Sequence, residues 1–197
     1  MASTSKYTRW FTKEAQAVLL ISAITLLAII LGLVVKSAAL SQTRTLSRAG
    51  VISEAPLGWI VRQGVAQEPL IYSASDPGDP YLKYAVSLLP AVPGGTLGDS
   101  VVTENLNRAR TLNAYKVLDQ TPVTARGKDA YRISFAYVQT NDPTSMPVVV
   151  RGLDFYFLEG NQVLLVTLEE QAGMFEGALP GFMTFMESVK YTPGGAK

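Results

Sequence analysis

The chain contains no cysteine and no histidine. The first absence excludes disulfides, thiolate nucleophiles, cysteine-ligated zinc and iron–sulfur clusters. The second excludes histidine metal sites and axial haem ligands, and it removes the commonest general acid–base residue. Charge of one sign is lacking too: 17 basic and 16 acidic side chains give a formal net charge of +1. No strong field steers nucleic acid or an acidic partner, so no nucleic-acid role is expected. The missing cysteine does not locate the compartment, since cytosolic and exported proteins both manage without it. Internal repeats and low-complexity tracts are also lacking.

What is present begins with an apolar run. Ala15 to Val35 carries no charge, and Gln16, Ser22 and Thr25 are its polar interruptions. As a helix it spans roughly 31 Å at about 1.5 Å per residue, close to the about 30 Å of a bilayer core. It is longer than the roughly 7–15 residues of a signal-peptide core, and it is apolar all round, unlike a core helix of a small domain. Ser37-Ala38-Ala39 offers small residues to a peptidase, but the length favours a retained anchor. The expectation is a single-pass transmembrane helix in the lipid bilayer, with Tyr7 and Trp10 at the headgroup level. Lys6, Arg9 and Lys13 before the span nearly balance Lys36, Arg44 and Arg48 after it. The short basic tail tips the balance towards an inside N-terminus and an extracytoplasmic domain. Ala15, Ala17, Ala23, Ala28 and Gly32 are small enough to allow close packing against another membrane helix.

The chain then reads as an N-terminal tail (1–14), the transmembrane helix (15–35), a linker rich in Ser, Thr, Ala and Arg (36–50), one α+β domain (51–191) and a Pro/Gly tail (192–197). In the domain, Leu57 to Val61 and Pro69 to Ser73 read as short strands, and Asp76 to Pro80 as a turn. Leu82, Tyr84, Val86 and Leu88 alternate with Lys83, Ala85 and Ser87 as in a half-buried strand. Pro93-Gly94-Gly95 breaks the chain, and Thr96 with Asp99 three residues on forms a capping-box pattern. The spacing predicts an amphipathic helix over about 97–111. Leu97, Val101, Val102, Leu106, Ala109 and Leu112 make its apolar stripe, with Glu104, Asn107, Arg108 and Arg110 on the other face. Four strands follow, with Asn141 to Ser145 as a loop and a hairpin turn at Glu159-Gly160-Asn161. A last helix carries Phe175, Leu179, Phe182, Met186 and Val189, with Pro180 opening its main part. Strands joined by short turns imply an antiparallel sheet with two main helices packed on it.

This order, and several local patterns in it, resembles the PsbP-like family. The likeness runs through Gly58-Trp59, Gly94-Gly95-Thr96-Leu97 at the first domain helix, and Tyr115-Lys116-Val117-Leu118 before Pro122-Val123. It continues in Gly127 ahead of Ala130-Tyr131-Arg132, in the Gly160-Asn161 hairpin, and in Phe185-Met186-Glu187-Ser188-Val189. The resemblance implies a domain that binds or helps build larger assemblies, without catalysis. Relatives are often exported whole or lipid-attached through an N-terminal cysteine, which this chain lacks. The family's histidines for ion contacts are missing as well, so no ion-retention residue carries over.

Few residues promise chemistry of their own. Asp76 and Asp79, with Asp99, fall short of the ligand density of a calcium loop, and an exposed turn is expected instead. Arg151 and Asp154 on one strand, with Arg132 on its neighbour, form a charged group suited to a ligand or an acidic partner. Cross-strand ion pairs on a solvated face give the same pattern. Tyr156, on the opposite face from Phe155 and Phe157, is the aromatic best placed to meet a partner or a helix. No Gly-x-Ser-x-Gly elbow occurs, and Pro93-Gly94-Gly95 lacks the rest of a phosphate-binding loop. No catalytic, metal or cofactor residue is assigned. The expected function is a non-catalytic, membrane-anchored accessory subunit whose partners are integral membrane subunits of a larger complex. A photosynthetic or respiratory setting follows only from the family likeness. A tethered ligand-binding or assembly-factor domain is the alternative, and a hydrolase ranks third.

Overall fold

The computed structural model describes residues 15, 17–32, 42–65, 68–140 and 146–193. The expected tail 1–14 with Tyr7 and Trp10, residues 16 and 33–35 of the expected span, Ser37-Ala38-Ala39, the loop 141–145 and residues 194–197 lie outside the described residues. The chain divides into two compact units, Met1–Gln42 and Thr43–Lys197.

In the first unit, α1 (residues 17–32) is a continuous helix. Its apolar side chains, among them Leu19, Ile21, Ile24 and Leu27, are exposed. The Thr25 hydroxyl donates to the Ile21 carbonyl at 2.9 Å, which satisfies the polar group within the helix. Among the described residues no helix is long and apolar enough to cross a membrane. The described helix is about 24 Å long at about 1.5 Å per residue, short of the about 30 Å of a bilayer core.

The second unit is α+β. Its strands are β1 (Thr43–Arg48), β2 (Val51–Pro56), β3 (Ile60–Gln63), β4 (Leu70–Ser75), β5 (Lys83–Pro90), β6 (Lys116–Ala125), β7 (Lys128–Gln139), β8 (Val148–Glu159), β9 (Gln162–Gln171) and β10 (Lys190–Tyr191). The helices are α2 (Leu97–Thr111) and α3 (Phe175–Ser188). One sheet has the order β3-β4-β5-β9-β8-β7-β6, and the other is β1-β2-β10. Every pairing is antiparallel. β1 falls within 36–50, which the sequence reads as linker, so the folded unit starts earlier, at Thr43. Leu57 and Gly58 form a turn rather than the start of a strand, and β3 begins at Ile60.

Alternation along the central strands separates two cores. Phe155, Phe157, Leu164, Val166 and Leu168 meet Phe182 and Phe185 of α3 on one face, together with Val51 and Ala55 of β2. Ile133, Tyr156, Val163 and Leu165 meet Val101 of α2 on the other. β8 and β9 are therefore covered on both faces, which explains the nearly unbroken apolar run at 163–168.

α2 starts where its cap chemistry requires. The Thr96 hydroxyl accepts from the Asp99 amide at 3.3 Å, and the Asp99 carboxylate accepts from the Thr96 amide at 2.7 Å. Gly94, at φ 69°, makes the left-handed bend just before it. Thr96→Ala should lower stability by about 1 kcal/mol, since it orphans one helix amide and one side of the box. Urea unfolding followed by circular dichroism checks this; an unchanged midpoint would refute it.

α3 departs from its sequence reading. Pro180 sits inside the helix rather than at its start, and the helix begins at Phe175. The missing amide forfeits one turn bond. The Thr184 hydroxyl donates to the Pro180 carbonyl at 3.1 Å just after it. Burial of Phe175, Phe182, Phe185 and Met186 outweighs the local rule.

Candidate functional site

The densest group of titratable side chains lies under α2. Position 154 of β8 points to the α2 face and is paired with Thr167 on β9 and Ile133 on β7. Its carboxylate has no solvent exposure. Arg108 reaches down from α2, with Nη1 2.5 Å from Asp154 Oδ2 and Nη2 3.4 Å from Oδ1. The Thr167 hydroxyl donates to Oδ1 at 2.7 Å and the Tyr156 hydroxyl to Oδ2 at 3.2 Å. Arg108 Nε also donates to Glu104 at 3.3 Å, and the guanidinium stands 4.6 Å over the Phe135 ring. A buried carboxylate needs a cation and hydrogen-bond donors on its lone pairs, and this one has both.

The electrostatics follow from this packing. Burial raises the Asp154 carboxyl above its ordinary range, while Arg108 and Thr167 pull it back. Burial also opposes the Arg108 charge, but Asp154, Tyr156 and Glu104 outweigh it and hold the guanidinium above its ordinary value. Burial, with Asp154 alongside, pushes the Tyr156 phenol up. The pair ties α2 to the middle of the sheet. With its carboxylate enclosed and its partners internal, it does not present a proton to a substrate.

The four residues singled out from the sequence do not form one group. Asp154 is buried on the α2 face rather than solvated, and Tyr156 is buried there against the helix, one of the two places expected for it. Arg132 lies opposite Phe155 and Arg151 opposite Ala136, so both belong to the α3 side. Arg132 pairs with exposed Asp119 at 3.1 Å. Arg151 pairs with Glu176 at the start of α3 at 3.0 Å and stacks 4.2 Å over Phe175. The physical reason is the strand period of two: residues 151 and 154 stand an odd number apart and face opposite ways. Arg108, which the sequence reading put on the solvent face of its helix, is the residue that reaches Asp154. Val102 and Leu106, expected in the core, are exposed instead. The available signal was spacing, because Arg108 falls seven residues after Val101 and four before Leu112.

The other candidates are quieter. Asp76 accepts from the Gly78 amide at 2.8 Å and Asp79 from the Tyr81 amide at 3.0 Å, so both carboxylates build the turn. Among the described residues no group of three or more acidic side chains is placed to hold a metal ion. At the start of α2 the capping box already uses the exposed amides, and those contacts with Thr96 hold the Asp99 carboxyl below its ordinary value. An open-sided recess of about 510 Å³ lies beside this helix start, between Leu97, Gly98, Pro122, Val123 and Tyr131. In α1, Ala17, Ala28 and Gly32 share one side of the helix and Ala23 stands on another.

The second unit is a seven-stranded antiparallel sheet with one helix on one face, and a helix plus a three-stranded sheet on the other, an α+β fold shared with solved PsbP-like structures. The solution structure of cyanobacterial PsbP (CyanoP) from Synechocystis sp. PCC 6803 is similar to this chain with a TM-score of 0.57. The two are 14% identical, over 77% of this chain and 92% of that one. The crystal structure of the Saccharomyces cerevisiae Ran-binding protein Mog1p is similar with a TM-score of 0.51 at 10% identity, over 76% of this chain and 95% of that one. At such identities the likeness establishes the fold alone. No family model and no curated protein matches the sequence.

Proposed function

We propose that this chain is a non-catalytic accessory or interaction module, tethered to a membrane by a helix that includes α1. Its domain, on the extracytoplasmic side, braces a larger complex of integral membrane subunits. The observation that carries this reading is the sealed Arg108–Asp154 pair. This buried cluster of ionisable groups is used to hold α2 on the sheet, in a chain without histidine or cysteine. The fold supports it as well, since Mog1p is by name a Ran-binding protein. Ala17, Ala28 and Gly32 supply a small-residue side along α1 for packing against a neighbouring helix.

Solubilising the native membrane in mild detergent and separating it by size tests the reading. The chain should migrate with larger membrane subunits. Migration only as a free monomer, or turnover of a substrate by the purified chain, would overturn it. The recess beside Leu97 and Tyr131 favours a second reading, a tethered binding domain for a small, partly apolar molecule.

A further inference from the structure

We propose that the turn Leu57–Ile60, together with Met174, rests on the surface of a bilayer of uncharged headgroups. This rests on the membrane-anchor reading above and adds which end of the domain meets lipid. The registers place these residues together. Thr43, where the domain begins, is paired with Pro56, immediately before the turn. Ile60 is paired with Ser75, Ser75 with Lys83, and Lys83 with Glu169. β9 leaves the sheet at this same end, where the Met174 amide donates to the Gln171 carbonyl at 2.9 Å. One end of the sheet therefore carries the start of the domain, the 57–60 turn, the Asp76–Asp79 turn and Met174.

Large apolar side chains at that end stand in the open, among them Leu57, Ile60 and Met174, which are 55%, 63% and 64% exposed. The turn that presents the first two is firmly held. Trp59 packs 4.6 Å from the Tyr84 ring, its amide donates to the Pro56 carbonyl, and Gly58 supplies the left-handed bend at φ 88°. A preformed apolar tip suits shallow insertion into the headgroup boundary, because no further ordering of the chain is needed.

The covalent chain argues for lipid as the occupant. Residues 33–42 join α1 to Thr43, and ten residues reach at most about 35 Å even when fully extended. With α1 in the membrane, the domain end that carries Thr43 stays within that distance of the bilayer. Charge then selects the headgroup. The charges at this end nearly cancel: Asp76 and Asp79 stand with Arg44 beside Thr43, Lys83 is engaged by Glu169, and Glu176 by Arg151. With no cationic excess to draw this end to anionic lipid, the apolar contact with an uncharged surface is the attraction that remains.

Because the chain has no cysteine, single labels can be placed cleanly. Full-length Ile60→Cys and Met174→Cys, each carrying an environment-sensitive fluorophore, would be reconstituted into phosphatidylcholine vesicles. Asn161→Cys, on the hairpin at the far end of the sheet, serves as the aqueous reference. Both test labels should shift to the blue, be quenched by spin-labelled lipid, and be several-fold less accessible to iodide than the reference. If they are as accessible as the reference while the protein stays in the vesicles through alkaline carbonate, the proposal fails and the anchor stands. If carbonate strips the protein, the anchor fails and takes the proposal with it. Stronger protection when anionic lipid is added would overturn the choice of headgroup.

Discussion

Arg108→Met should destabilise the domain by about 3–5 kcal/mol, the usual consequence of removing one partner from a buried ion pair. The methionine keeps much of the packing volume, so the loss reports the charge. What remains is a carboxylate with no solvent exposure that keeps Thr167 and Tyr156 as donors but has no cation. The pH dependence separates this from a packing defect. In the folded chain burial already raises the Asp154 carboxyl above 3.8, and removing Arg108 raises it further. A carboxyl with a raised folded pKa stabilises the fold below its unfolded value, and that contribution is lost as pH rises through the folded one. The deficit of Arg108→Met against the native chain should therefore be small near pH 4 and widen towards neutrality. Adding Asp154→Asn should recover a large part of the loss, because the amide oxygen still accepts from a neighbouring hydroxyl and the buried charge is gone. Urea unfolding at several pH values measures all three chains. A deficit that stays flat with pH would show that Asp154 is not the buried charge at fault.

Much of this architecture was readable where local chemistry decides it. The capping box at Thr96 and Asp99, the Asp76–Pro80 turn and the hairpin at Gly160-Asn161 depend on residues close in sequence, and they stand as expected. β1 was hidden because Thr43–Arg48 is polar and faces a core with little more than Leu46. Its sheet also closes through β10, contributed by residues far along the chain. The α2 face was misread for a different reason. Residue polarity placed Arg108 outside and Leu106 inside, but a carboxylate in the middle of β8 recruits a cation wherever the helix can bring one. That demand belongs to the partner strand and is invisible in the helix itself. The separation of Arg151 from Asp154, by contrast, was available from strand periodicity alone.

Gly152→Ala should also be costly, although propensity points the other way. A glycine in a strand is worth roughly 0.5–1 kcal/mol less than alanine, so an unobstructed replacement would stabilise. Here the Phe135 ring lies across the glycine. An added Cβ would stand 2.0 Å from Cζ and 2.4 Å from both Cε atoms of that buried ring. The ring has little room to yield, since Tyr115 packs on it at 5.6 Å and the Arg108 guanidinium sits 4.6 Å above it. Overpacking of this kind typically costs about 1–3 kcal/mol, which outweighs the propensity gain. Phe135→Leu alone should also destabilise, through a lost ring and a poorly filled space. Made together, the two changes relieve each other, because the smaller side chain vacates the volume that the new methyl requires. Their combined loss should fall short of the sum by about 0.5–3 kcal/mol, the range for residues in direct contact. Strictly additive losses in urea unfolding would mean that Phe135 does not lie over Gly152. The glycine would then have no part in holding the aromatic platform on which Arg108 rests.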